Sequence, residues 1–289
     1  MILFDAILGG LVLGGLYALI ATGLNLQYGV ARIMNLSYGE FVILGSFVAY
    51  GFSSQLEMSP LWSLAVIVPL GFVGSWLIYR YLMLPLVRRA PNLDALEADS
   101  ILATFGLLFV MQGTFFAVMG GNIFGYSYLA FPLEIFGSRI AANRTLAFVV
   151  ATVMALALWA LLRYTRTGTA VRALAVDPVS AGLVAIDVPR FAALAFATGG
   201  ALVAAAGVLV SMFLSFTAAG GVVFTMKALI VVIMGGVGNV LGGFVAAILL
   251  GLAESMGGFL IDPGLTLAIN FLLFIIVLLW RPKGLFGAR

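Results

Sequence analysis

Eight stretches of this 289-residue chain contain no Asp, Glu, Lys or Arg: 6–31, 41–56, 58–79, 100–133, 145–162, 191–226, 228–253 and 263–280. A helix crosses a hydrocarbon core of about 30 Å with roughly 20 residues at about 1.5 Å rise each. Most of these runs suffice. A soluble globule carries roughly 25% charged residues, against 9% here with 64% hydrophobic and a mean hydropathy of +1.22. The chain therefore reads as all-α, one polytopic membrane bundle over residues 1–289 with about eight membrane segments. Seven spans are expected at about 6–28, 36–56, 61–86, 100–119, 144–163, 191–214 and 265–280. Asp5 precedes the first run without a basic leader region, so the first helix is expected to stay.

Basic residues orient the bundle, because loops on the cytoplasmic side collect Lys and Arg. Placing Arg32, the Arg80/Arg88/Arg89 group, the Arg163/Arg166/Arg172/Arg190 group and Arg281/Lys283/Arg289 inside gathers most of the 14 positive charges. Only Arg139, Arg144 and Lys227 then lie outside. The N-terminus and the loop 120–143 are expected outside, the C-terminus inside. The net charge of +3 and pI near 9.3 thus reflect topology rather than a nucleic-acid partner.

That topology constrains 222–258, which must return to the side where it began. GGVGNVLGG (Gly235 to Gly243) sits in its middle, so two short helices joined at a glycine break are expected, as a re-entrant pair or a hairpin. Irregular backbone at membrane depth survives only inside protein or beside a watery cavity, which places Gly235, Gly236, Gly238, Asn239 and Gly242 at the bundle centre. The competing reading is glycines that simply let helices pack closely.

The loop Arg163 to Arg190 is basic yet apolar from Val179 to Ile186. Asp177 followed by Pro178 is an N-cap and first-helical-residue pair, predicting a short helix from Pro178 to about Ile186, with Asp187 capping the next span. About nine residues make roughly 14 Å of helix, too short to cross a membrane and marginal alone in water. Such a helix needs a surface, either a partner or its own spans.

Among polar residues, Glu40 is an intramembrane carboxylate, which defaults to a functional reading; the plainer and preferred reading is the last member of a capping box with Ser37, near the cytoplasmic interface. Glu254 reads as interfacial and Lys227 as snorkelling. Asn25, Gln27 and Asn35 fit either interhelical hydrogen bonds or a polar path. With no Cys and no His, thiol, imidazole and disulfide chemistry are excluded. No glycine-rich loop of Walker A spacing precedes Lys227 or Lys283, so ATP hydrolysis does not belong to this chain.

NLSYGE (Asn35 to Glu40), TGTAVRALAVDPVSAGLVAIDVPR (Thr167 to Arg190), AAAGVL (Ala204 to Leu209), KALIVVIMGGVGNVLGG (Lys227 to Gly243), GLAE (Gly251 to Glu254) and the ending RPKGLFG follow one another in this order. In that order the chain resembles the shorter permease subunit of bacterial and archaeal branched-chain amino acid ABC importers. The resemblance implies no cofactor on this chain, with ATP and Mg used by two cytoplasmic ATPase subunits. It also implies a second related permease, an extracytoplasmic solute-binding protein, surrounding membrane lipid in the inner membrane, and no covalent chemistry. It casts the Arg163 to Arg190 loop as the ATPase-coupling element, with Arg172, Asp177, Pro178, Leu183 and Ile186 as its contacts. Asn25, Asn35, Tyr38 and Glu40 become candidates for the substrate path. Tyr38 departs from relatives that often carry His there, and related systems move urea or short amides. The rivals are an ion- or proton-driven secondary transporter, which a broken segment alone also permits, and an intramembrane enzyme.

Overall fold

The structure is a computed structural model that describes residues 2–135 and 138–287. Helix α1 (Ile2–Ala31) is followed by a non-helical stretch to Gly39 and by the fifteen-residue α2 (Glu40–Ser54). A 3-10 turn leads into α3 (Leu64–Ile78), which passes through one π turn into α4 (Leu84–Arg89), the whole from Pro60 to Arg89 forming one span. After α5 (Leu93–Met119) comes a hairpin of β1 (Pro132–Ile135) and β2 (Ser138–Ala141), then α6 (Ala142–Tyr164). Two small helices follow, α7 (Arg166–Val176) and α8 (Pro178–Leu183). The chain finishes with α9 (Val188–Ser211), α10 (Gly221–Gly235), α11 (Val240–Leu260) and α12 (Thr266–Trp280). Among the described residues seven helices are long and apolar enough to cross a membrane, and α2 and α10 are shorter apolar helices. The expected all-α bundle is what forms.

One end carries Arg88 and Arg89, Arg163 to Arg190 and the C-terminal tail; we call it the basic end, and the hairpin end the far end. α9 is the most buried span, 89% of its most apolar window being inside the bundle, because its Ala and Gly residues let neighbours approach to backbone distance. At Gly207 an added Cβ would run into the Val42 carbonyl of α2, and at Gly251 into α1 at Gly14.

The path from α1 to α3 is repeated upside down from α9 to α11. Each has a long span, a non-helical stretch, a fifteen-residue helix and a returning span. α1 packs on α11 as α3 packs on α9. Inverted repeats with broken helices are a common transporter architecture.

The glycine break lies elsewhere than expected. Gly235 to Asn239 forms the α10–α11 turn at the basic end, not the bundle centre, with Val237 exposed. Gly236 (φ 99°) and Gly238 (φ 80°) take the left-handed backbone a tight reversal needs. The tail fastens this turn: Leu285 N donates to Met234 O at 2.8 Å and Phe286 N to Gly235 O at 3.3 Å. Asn239 caps α11 by accepting from Gly242 N. Segment 222–258 is thus a hairpin. The irregular backbone at depth is 32–39 and 212–220 instead, the lead-ins to α2 and α10.

Candidate functional site

The two lead-ins meet in the middle of the bundle. From Gly221 to Gly235 at the basic end α10 spans about 21 Å by helical rise, and α2 spans about 21 Å from Glu40 to Ser54 towards the far end. Gly39 and Gly221 face each other there, and a Cβ on Gly39 would overlap the Gly221 carbonyl oxygen. Buried backbone without a helical partner must be satisfied by side chains, and they are present. Gly39 N donates to Thr225 Oγ1 at 2.8 Å, Leu36 N to Thr104 Oγ1 at 3.0 Å and Met34 N to Ser100 Oγ at 3.2 Å. Tyr38 is fully buried, its hydroxyl donating to Ile20 O at 2.8 Å and Gly199 O at 3.3 Å. Gln27 donates to Phe196 O at 2.8 Å, and Asn35 donates to Gln27 Oε1 at 3.2 Å.

The expected capping box is absent. Ser37 Oγ donates to Asn35 Oδ1 at 2.7 Å, and Gly39 begins α2 without a side-chain cap. Glu40 N is taken by Ser37 O at 3.1 Å in a tight turn, so the box geometry cannot form. Glu40 lies at mid-depth rather than at the basic interface, 0% exposed, with neither carboxylate oxygen hydrogen-bonded. Of the other path candidates, Asn35 and Tyr38 hold this junction together, whereas Asn25 sits near the basic end, its Oδ1 accepting from Gly238 N at 2.6 Å.

A second buried charge cluster lies between α1, α10, α11 and α12. Lys227 Nζ donates to Glu254 Oε1 and to Tyr17 OH, both at 2.7 Å. Tyr17 OH and Asn270 Nδ2 donate to Glu254 Oε2 at 3.0 and 2.9 Å. Lys227 therefore neither snorkels nor belongs to an outer loop, and Glu254 is not interfacial. Each residue looked like an isolated charge in the sequence; the usable signal was their opposite sign within membrane segments, where charges tend to pair.

At the basic end Asp177 caps α8 as expected, accepting from Val179 N at 2.9 Å and Ser180 N at 3.2 Å. The hydroxyl and backbone hydrogen bonds from Ser180 hold its carboxyl below the usual range. α8 stops at Leu183 rather than Ile186, because the chain turns at Ala185 (φ 62°). α7 was not expected; Thr165 caps it and its Val171 and Leu174 face inward. Val176, Val179, Leu183 and Val184 are 83%, 76%, 84% and 70% exposed, Arg172 is exposed, and Ile186 is half-buried. Arg163 and Arg172 line a groove with Val237 and Phe286. At the far end a cavity of about 820 Å³ is lined by Tyr126, Asn143, Arg144 and Phe213 among others. Burial pushes the Tyr126 phenol up to about 12.

The family described as branched-chain amino acid transport system, permease component, matches residues 6–278. The chain belongs to this family. It is a multi-pass membrane protein and a transport subunit rather than an enzyme. The LivH permease protein of Salmonella typhimurium is 30% identical over 96% of this chain and 93% of its own length. The BraD permease protein of Pseudomonas aeruginosa is 28% identical, covering 97% and 94%. Both are described as parts of high-affinity branched-chain amino acid transport systems. A chain of PsaBC from Streptococcus pneumoniae, solved with a Fab, matches at TM-score 0.50 and 11% identity over 96% of this permease and 92% of that chain, a likeness of fold alone.

Proposed function

We propose that this permease moves branched-chain or related small amino acids into the cytoplasm of a bacterium or archaeon by alternating access. ATP, bound with Mg, is hydrolysed on two separate cytoplasmic ATPase subunits, a second related permease completes the path, and a solute-binding protein delivers the amino acid at the far end. The whole chain acts as one translocation domain. The basic end faces the cytoplasm, which puts the N-terminus outside and the C-terminus inside.

The observation that carries this reading is the exposed apolar surface of α7 and α8. Val176, Val179, Leu183 and Val184 project from α7, the six-residue α8 and the turn after it; the two helices cannot span a bilayer and have no core of their own. Arg172 gives that surface a charged edge.

Leu183→Glu tests it by placing an unpartnered charge in the contact, a costly burial. ATPase copurification and ATP-dependent uptake should both fall at least tenfold while permease abundance in the membrane stays near normal. Intact copurification and uptake would sink α8 as the docking element, and uptake without any ATPase subunit would favour an ion-driven carrier. Orientation is read separately. The chain has no native cysteine, so Ser127→Cys should react with an impermeant thiol reagent in intact cells and Val184→Cys should not; the reverse pattern inverts the topology.

A further inference from the structure

Glu40 is a buried carboxylate with no side-chain or backbone partner among the described residues. It is 0% exposed, and among the described residues none donates a hydrogen bond to its two oxygens or forms a salt bridge with it. A charge is costly to bury without a partner, and at membrane depth such a residue defaults to a functional role. The fold also makes room for it. Gly221 of α10 lies directly against the carboxylate, and any Cβ there would overlap it.

The surroundings set the sign of the ligand. α2 begins at Glu40 and α10 begins beside it at Gly221, so the positive ends of two helix dipoles converge and favour a negative charge at this point. The first amides of α2 are already taken: Glu40 N by Ser37 O, Phe41 N by Tyr38 O and Val42 N by Gly39 O. Gly39 N is taken by Thr225 Oγ1. The amides of the α2 turn are therefore spent, and the group left without a partner there, among the described residues, is the Glu40 carboxylate. It calls for a cation with N–H donors.

We propose that Glu40 is the counter-ion that receives the ammonium group of the amino acid at mid-membrane, a role that rests on the amino-acid reading above. The site is closed by the Gly39–Gly221 contact and the Thr225 hydrogen bonds, so a solute reaches it only if α10 separates from α2. The other end of α10 is the hairpin turn at Val237, in the groove with Arg163 and Arg172. α10 thus runs from the basic-end surface to the carboxylate.

The test uses the complete importer in proteoliposomes, with solute-binding protein outside, ATP on the ATPase side and radiolabelled leucine as the probe. Glu40→Gln should lower leucine uptake at least tenfold, while Glu40→Asp, which keeps the charge, restores a measurable part. ATPase copurification should be unchanged. The thermal midpoint of Glu40→Gln in detergent should equal or exceed that of the native complex, because a buried unpaired charge has been removed. Glu40→Gln uptake within twofold of the native importer would overturn the proposal. So would equal loss in Gln and Asp variants, which would assign the side chain to shape, or a midpoint lowered by several degrees, which would assign it to packing. If the native importer moves no amino acid, the substrate reading falls and this role falls with it; if it moves leucine and Glu40→Gln does too, only the role falls.

Discussion

Glu254 and Glu40 are both carboxylates enclosed among membrane helices, yet the bundle treats them in opposite ways. Glu254 is surrounded by donors from three helices: Lys227 on α10, Tyr17 on α1 and Asn270 on α12. Glu40 has none. The first arrangement ties the short α10 to its neighbours, so its charge is spent on architecture. The second leaves an acceptor free at the point where two half-helices begin, so its charge is available to something outside the chain.

The sharpest way to break this contrast is to remove the cation from the first site. Lys227→Met leaves Glu254 buried beside only neutral donors, and breaking a buried pair from one side typically costs about 3–5 kcal/mol. That is a large share of a typical stability of about 5–15 kcal/mol, so the thermal midpoint and membrane abundance should both drop strongly. Replacing both charges, Lys227→Met with Glu254→Met, should recover most of the loss, since a packed apolar pair is often as stable as an ion pair. A single Lys227→Met variant with native thermal stability would show that the pair does not hold α10, and the contrast with Glu40 would vanish. Removing the charge at Glu40 is expected to act in the opposite sense, on uptake rather than on stability.

The sequence was readable wherever the signal was local. Charge-free runs located six of the seven expected spans; the run at 36–56 gives a non-helical lead-in and the short α2 instead, and 222–258, read as two short helices, holds the long span α11. Asp177–Pro178 located α8, because a cap is made by neighbours in the chain. The same local logic misread Glu40. Ser37 and Glu40 have capping-box spacing, but the hydroxyl went to Asn35 and the turn was tightened by contact with Thr225 on α10, 186 residues from Gly39. The Lys227–Glu254 pair spans 27 residues and two helices, so neither member announces the other. The glycine run was read correctly as a break but placed too deep, because sequence does not reveal that the C-terminal tail folds back onto it. The real mid-membrane breaks lie in ordinary-looking sequence: the backbone of 32–39 is satisfied by distant Ser100, Thr104 and Thr225, and that of 212–220 by distant Phe124 and Asn143.

The smallest expected effect sharpens the comparison from inside the Glu254 cluster. Asn270 gives Nδ2 to Glu254 Oε2 at 2.9 Å, but its own Oδ1 is buried without a partner. Asn270→Leu therefore removes one donor from a carboxylate that keeps Lys227 and Tyr17, and also removes one orphaned acceptor. A hydrogen bond to a charged group is worth about 1.5–3 kcal/mol, while an unsatisfied buried polar atom costs about 1–3 kcal/mol. The two effects nearly cancel, so the thermal midpoint should stay close to native and uptake should persist. A loss as large as that of Lys227→Met would mean that Glu254 depends on every donor equally. In that case it is the number of hydrogen bonds, rather than the opposite charge, that separates the satisfied carboxylate from Glu40.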